Sequence, residues 1–153
     1  MVTLKNKSMD LNDIIAQLPY GEPFLFVDEL VHVDEEGIIG NYTFNENLDF
    51  YKGHFCGNPI TPGVILTEVM AQIGLACFGI YLLGSDLNNG IAMALTSSEI
   101  QFLKPVYPRE KVTVFSDKIY FRFGKLKCAV TLKNEAGYEV CKGTLSGMMK
   151  REL

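Results

Sequence analysis

Apolar and polar positions change their period several times along this chain, and each change marks an element. Residues 10–18 place Ile14, Ile15 and Leu18 on one helical stripe. Asp10 suits the N-cap, and Pro19 and Gly21 close the segment. Residues 24–33 are rich in aromatic and β-branched side chains and predict a strand, followed by a turn at 34–37 and a second strand at 38–44. Residues 45–62 hold several Gly, Pro and Asn and predict a loop, long enough inside a compact domain to suggest function. From Thr61-Pro62 the pattern turns apolar on nearly every face as far as Leu83, and Gly84 stops it. Threonine suits the cap of this helix, and proline suits its first helical position because the missing N–H would be unpaired there.

A helix that is apolar all round must be surrounded rather than merely docked. Ala71, Gly74, Ala76 and Gly79 are small and allow close approach. The rest of the chain reads as strand. Residues 91–102 and 111–121 are two candidates, and Leu126, Cys128, Val130 and Leu132 then alternate with Lys127, Ala129, Thr131 and Lys133. A turn at 134–137 leads to a last strand at 138–149. About six strands, one short helix and one long apolar helix give an α+β fold. In it a curved antiparallel sheet wraps the long helix.

The length of 153 residues suits a single domain over 1–153. With 48% hydrophobic and 21% charged residues, the chain is globular rather than disordered. A net charge of −4 argues against nucleic acid as a partner. Cys56, Cys77, Cys128 and Cys141 lack CxxC spacing, and with only His32 and His54 a zinc site is hard to build. Reduced cysteines in a cytoplasmic protein are expected. Residues 1–8 are polar with no apolar run behind them, so no signal peptide is expected there. Residues 64–83 match a bilayer in length, but they contain Glu68 and Gln72. A carboxylate in mid-membrane costs roughly 2.5–3.5 kcal/mol, so a buried core helix is expected and a membrane span is not.

The chemistry concentrates in residues 53–72, GHFCGNPITPGVILTEVMAQ. His54 lies in the loop, Gly63 at the helix start, Glu68 about one and a half turns in, and Gln72 one turn further on the same face. Singly, each has a plain explanation: a surface histidine, a turn glycine, a carboxylate satisfied by a neighbouring amide. Together they supply a base, an acid and a backbone N–H donor. An imidazole titrates near pH 6.5 and suits proton abstraction. A helix-terminal N–H suits a developing oxyanion. A carboxyl in an apolar helix is pushed toward its neutral form, while the helix N-terminus and a donor from Gln72 push the other way.

This segment resembles the 3-hydroxyacyl-acyl carrier protein dehydratases of type II fatty acid synthesis, the FabZ-like branch. GHF with NPITPGV is similar to that family's central signature, and TEVMAQ to its acidic helix. LPYGEPFLFVDEL (18–30) and FLKPVYPRE (102–110) resemble its opening and its later basic-Pro-Val-x-Pro segment. The resemblance covers nearly the whole chain. It implies a hot-dog fold and a (3R)-3-hydroxyacyl to trans-2-enoyl dehydration on acyl carrier protein, with no metal and no redox cofactor. It also implies a homodimer, often within a hexamer, whose sites take His54 from one subunit and Glu68 from the other.

In that reading His54 is the base and the Gly63 N–H the oxyanion donor. Glu68 is either the acid or an orienter of water with His54 as shuttle. Phe55, Val64, Ile65, Gln72 and Met93 are expected against the substrate, with Met70 and Phe102 further candidates for an acyl tunnel. Lys104, Arg109, Arg122, Lys125 and Lys127 are candidates for meeting the acidic carrier protein. The chain departs from the family at Cys56 (usually proline), Tyr20 (near a common histidine) and Arg109-Glu110 (usually Gly-Asp). Glutamate at 68 matches the plain dehydratase rather than the dehydratase-isomerase. Rival expectations are a hot-dog thioesterase, a catalytically inactive hot-dog partner subunit, and dehydration in polyene or pigment synthesis.

Overall fold

The two-residue alternation in the second half of the chain forms the body of one antiparallel sheet. The computed structural model describes residues 9–84 and 92–150. Its strands are β1 (Glu29–Val33), β2 (Gly37–Thr43), β3 (Ala92–Phe102), β4 (Lys111–Arg122), β5 (Lys125–Asn134) and β6 (Glu139–Lys150), in spatial order β1-β2-β4-β5-β6-β3. Along β5, Leu126, Cys128, Val130 and Leu132 are buried while the residues between them face outward. At 25 cal/mol per Å², each such aliphatic side chain contributes roughly 1.5–3 kcal/mol by burial. The six strands and their antiparallel pairing match the sequence expectation.

The face so formed packs on the long helix, α3 (Gly63–Leu83), whose inner positions Val69, Met70, Ile73, Leu75, Cys77 and Phe78 are fully buried. Its length and apolar character are those of a membrane span, yet it is the core helix, as expected. Two shorter helices precede it: α1 (Leu11–Ala16), where the Asp10 carboxylate accepts from the Asn12 N–H at 3.3 Å, and α2 (Phe50–Gly53).

Four differences from the sequence reading have identifiable causes. The first concerns the strand expected over 24–33, which begins only at Glu29. Upstream, the Phe26 N–H donates to the Gln72 side chain instead of a ladder partner. The second lies in the expected 45–62 loop, which contains the helical turn α2. Thirdly, Thr61 does not cap α3: Pro62 occupies the N-cap and Gly63 the first helical position. The Thr61 hydroxyl bonds to Tyr51 instead.

Finally, α3 is not α-helical throughout. Gly63–Ala71 and Phe78–Leu83 are, but Gln72–Cys77 is π-helical. There the Ser116 hydroxyl on β4 donates to the Gly74 carbonyl at 3.0 Å, an insertion into the helical ladder of the kind that accompanies such bulges. Gly74 permits the approach, since a Cβ there would stand 3.2 Å from the Ser116 side chain. Gly84 ends the helix with φ +55°, a conformation that favours glycine. Residues 1–8, where no signal peptide is expected, and Ile91, the expected first residue of β3, lie outside the described residues.

Candidate active site

The site begins with a turn that the sequence forces into an unusual shape. After α2, His54 is extended (φ −106°, ψ 109°) and its N–H still donates to the Phe50 carbonyl at 3.0 Å. Phe55 then takes φ +55° and Gly57 φ +84°. Positive φ is routine for glycine, but for a bulky side chain it costs of order 1–3 kcal/mol and clusters at functional sites. The result turns the chain back sharply, with the Asn58 N–H on the Phe55 carbonyl at 2.9 Å. The Phe55 ring is 62% exposed and meets the His54 ring edge-on, centroids 4.8 Å apart.

His54 is half-buried, and its Nδ1 lies 2.7 Å from the Ile60 carbonyl oxygen. A carbonyl can only accept, so Nδ1 carries the hydrogen. In the neutral ring Nε2 is then the acceptor. His32, the other histidine, pairs with Asp34 at the exposed β1–β2 turn.

Gly63 opens α3, where the first N–H groups of a helix have no intrahelical partner. Its lack of a side chain has a packing reason the sequence did not show: a Cβ there would stand 3.1 Å from the Phe102 ring. Beside it Val64 is 76% exposed and Phe102 half-exposed.

Glu68 is half-buried on α3. Burial raises its carboxyl above the ordinary value of 4.5, and the Gln72 amide pulls it part of the way back. Gln72 is only 1% exposed. Its Oε1 accepts from the Phe26 N–H at 2.8 Å, and its Nε2 donates to the Phe24 carbonyl at 2.9 Å and to Glu68 Oε1 at 3.0 Å. Both amide hydrogens are thus committed to protein acceptors. Gln72, expected against the substrate, instead orients Glu68 and ties the 24–26 segment to the helix. Tyr20 lies near enough to Glu68 that burial and then the carboxylate raise its phenol.

The remaining expected lining residues divide. Ile65 and Met93 are partly buried against the core, and Met70 is fully buried with its sulfur 3.4 Å from the Cys141 thiol. Among the described residues no hydrogen bond or ion pair joins His54 to Glu68 within one chain, and no three His, Cys, Asp or Glu side chains group as a metal site would.

Comparisons with known proteins bear on the family and the fold. A family model described as a FabA-like domain matches residues 18–131. The 3-hydroxyacyl-[acyl-carrier-protein] dehydratase FabZ of Geobacter metallireducens is 40% identical over 111 residues, covering 69% of this chain and 70% of its own. That of Thermus thermophilus is 34% identical over 145 residues, covering 93% of this chain and 98% of its own. Among solved structures, the dehydratase heterocomplex ApeI:P from Xenorhabdus doucetiae superposes with a TM-score of 0.77 at 11% identity, covering 94% of this chain and 93% of that one. Thioesterase HI1161 from Haemophilus influenzae gives 0.69 at 15% identity, covering 95% and 94%. At those identities the structures establish the hot-dog fold alone. With the family model spanning most of its length and relatives this similar, the chain belongs to the FabA-like family.

Proposed function

We propose that this protein removes water from a (3R)-3-hydroxyacyl thioester carried on acyl carrier protein, giving the trans-2-enoyl thioester. The observation that carries this reading is the Ile60 carbonyl on His54 Nδ1, which leaves Nε2 as a base. His54 Nε2 takes the proton from the carbon next to the thioester carbonyl. Negative charge grows on the thioester oxygen and is met by the Gly63 N–H, with the α3 dipole behind it. The electron pair of the broken C–H bond becomes the new double bond as the C–O bond to the β-hydroxyl breaks. A neutral Glu68 gives that hydroxyl its proton and water leaves. Burial of Glu68 favours the neutral form this step needs. Proton return from His54 to Glu68 resets the site.

The reading includes a homodimer in which His54 of one subunit faces Glu68 of the other. β3 supports it: it is an eleven-residue strand at the sheet edge, with Leu95 and Phe102 exposed along it and the Phe102 ring packed beside Gly63. A long open edge of this kind invites pairing with another chain. The acyl chain enters past Phe55 and Val64, with Ile65 and Met93 deeper.

For the carrier protein, the β4–β5 hairpin is the better of the two basic regions. Tyr120 pairs with Lys127 and Arg122 with Lys125, and no carboxylate pairs with these cations among the described residues. In the other region Arg109 is taken by Glu46 at 2.6 Å; Lys104 sits over the Tyr138 ring at 4.8 Å, as Arg122 sits over Tyr120 at 4.5 Å. The proposed location is the cytoplasm.

Because thioesterases share the fold, hydrolysis of the thioester is the second reading. One assay separates them. Purified protein with 3-hydroxybutyryl and longer 3-hydroxyacyl carrier substrates should produce enoyl ultraviolet absorbance and no free thiol, and His54→Ala should lose about 10²–10⁴-fold of that rate. Thiol release without enoyl product would replace this reading with the hydrolase.

A further inference from the structure

One buried contact near the site is not used by the chemistry above. The Tyr51 hydroxyl on α2 and Thr61 Oγ1 share a hydrogen bond of 2.6 Å, and both residues are buried. Its position matters more than its strength. The peptide unit joining Ile60 to Thr61 is held on three sides. Its carbonyl accepts from His54 Nδ1 at 2.7 Å, its N–H donates to the Val106 carbonyl at 2.8 Å, and the side chain of Thr61 is held by Tyr51. The next two residues are Pro62, the N-cap of α3, and Gly63, its first helical residue. Tyr51 itself lies in the same helical turn that delivers His54, whose N–H bonds to Phe50.

Between Tyr51 and Thr61 the chain passes through the exposed, positive-φ turn at Phe55 and Gly57. Few contacts along that turn could set the distance between its two ends. Two hydroxyls closing on each other in a buried position do set it. Burial also pushes the Tyr51 phenol up to about 12, so it remains a neutral hydroxyl over any working pH.

We propose that Tyr51 is a positioning residue for the reaction. Through Thr61 it fixes the peptide whose carbonyl selects the His54 tautomer, and it fixes where α3, and so the Gly63 amide, begins. The arrangement follows the logic of a nucleophile or base oriented by a third group, with a backbone carbonyl as the orienting atom and Tyr51–Thr61 as its brace. This inference rests on His54 being the base.

The test uses the intact protein and two readouts. Tyr51→Phe removes one oxygen. Losing one net hydrogen bond's worth of positioning should lower kcat about 5- to 10-fold with KM within about twofold. The second readout is nitrogen NMR of the imidazoles, which is simple because the chain has two histidines. Neutral His54 should be a single Nδ1–H tautomer in the native protein and a tautomer mixture in Tyr51→Phe, with His32 unchanged. Thr61→Ser, made in the native background, keeps the hydroxyl pair and should leave both readouts at native values.

The pair Tyr51→Phe with Thr61→Val has no orphaned hydroxyl. It should recover the thermal stability lost in the single variant while kcat stays low and the tautomers stay mixed. Should Tyr51→Phe fail to fold, this double variant carries both readouts. Native kcat in the double variant, or a lowered kcat with the His54 tautomer untouched, would overturn the brace. His54→Ala is the separate control: retained dehydration there sinks the assignment of the base, whatever Tyr51 does.

Discussion

Gln72→Leu offers the sharpest test of how the site is held. The side chain is buried and makes three hydrogen bonds, to the Phe26 N–H, the Phe24 carbonyl and Glu68 Oε1. Leucine has a similar volume, so the change removes the bonds without opening a large cavity. Each buried polar group left without a partner costs about 1–3 kcal/mol. The Phe26 N–H is buried and pays most; the Phe24 carbonyl and Glu68 are partly accessible and recover some hydration. A net loss of roughly 2–4 kcal/mol follows, after the leucine's own apolar gain.

For a chain of this size each kcal/mol moves Tm by about 2–4 °C, so a fall of roughly 5–15 °C is expected by calorimetry. Glu68 would also lose the Gln72 hydrogen bond that lowers its carboxyl pKa, so its titration should move up. A carbon-13 NMR titration of the glutamate carboxyls reads that directly. A Tm within 2 °C of native, or a Glu68 titration that moves down, would refute the reasoning.

Three further outcomes follow from the same geometry. As pH rises from 4.5 toward the raised native value of Glu68, the unfolded chain ionises first and native stability falls. Glu68→Gln removes that penalty, so its Tm relative to native should climb between pH 4 and pH 7; a constant difference would contradict it. Gly143→Ala on β6 should fail to fold or lose more than about 3 kcal/mol, because its Cβ would overlap the Glu99 carbonyl on β3; circular dichroism melting checks this, and near-native stability would rule it out. Of the four cysteines, Cys77, Cys128 and Cys141 are buried with thiols raised by burial, whereas Cys56 is exposed. Iodoacetamide with mass spectrometry should therefore label Cys56 alone in the native state and all four after unfolding.

Much of this architecture is written locally. The alternation of Leu126 to Leu132 and the all-round apolar run after Pro62 depend on neighbours in sequence, and both elements formed where their patterns lie. What failed to show was decided by distant partners. The 24–28 segment has strand composition, but its Phe26 N–H is spent on a side chain 46 residues away. The π segment depends on Ser116, 42 residues from Gly74. Thr61 has the chemistry of a cap, and a buried tyrosine ten residues back claims its hydroxyl.

Within the candidate site, Glu68 stood out because a carboxyl in a long apolar helix is costly and calls for a partner, whereas His54 stood out only through its place beside Gly63 and Glu68 in a segment that resembles the family signature. The Ile60 carbonyl that orients His54 was not, since every residue carries a carbonyl and only the fold aims this one. Gln72 was legible as a partner of Glu68 from helical spacing alone, but its grip on Phe24 and Phe26 was not.

The most direct measurement co-expresses differently tagged His54→Ala and Glu68→Gln chains, purifies the doubly tagged assembly and follows enoyl product. If an imidazole from one subunit works with a carboxyl from the other, each mixed dimer regains one unaltered site of two, so turnover should return to about half the native rate per dimer while either variant alone stays near zero. A verified mixed dimer as inactive as its parents, or parents that retain native turnover, would contradict the shared-site chemistry.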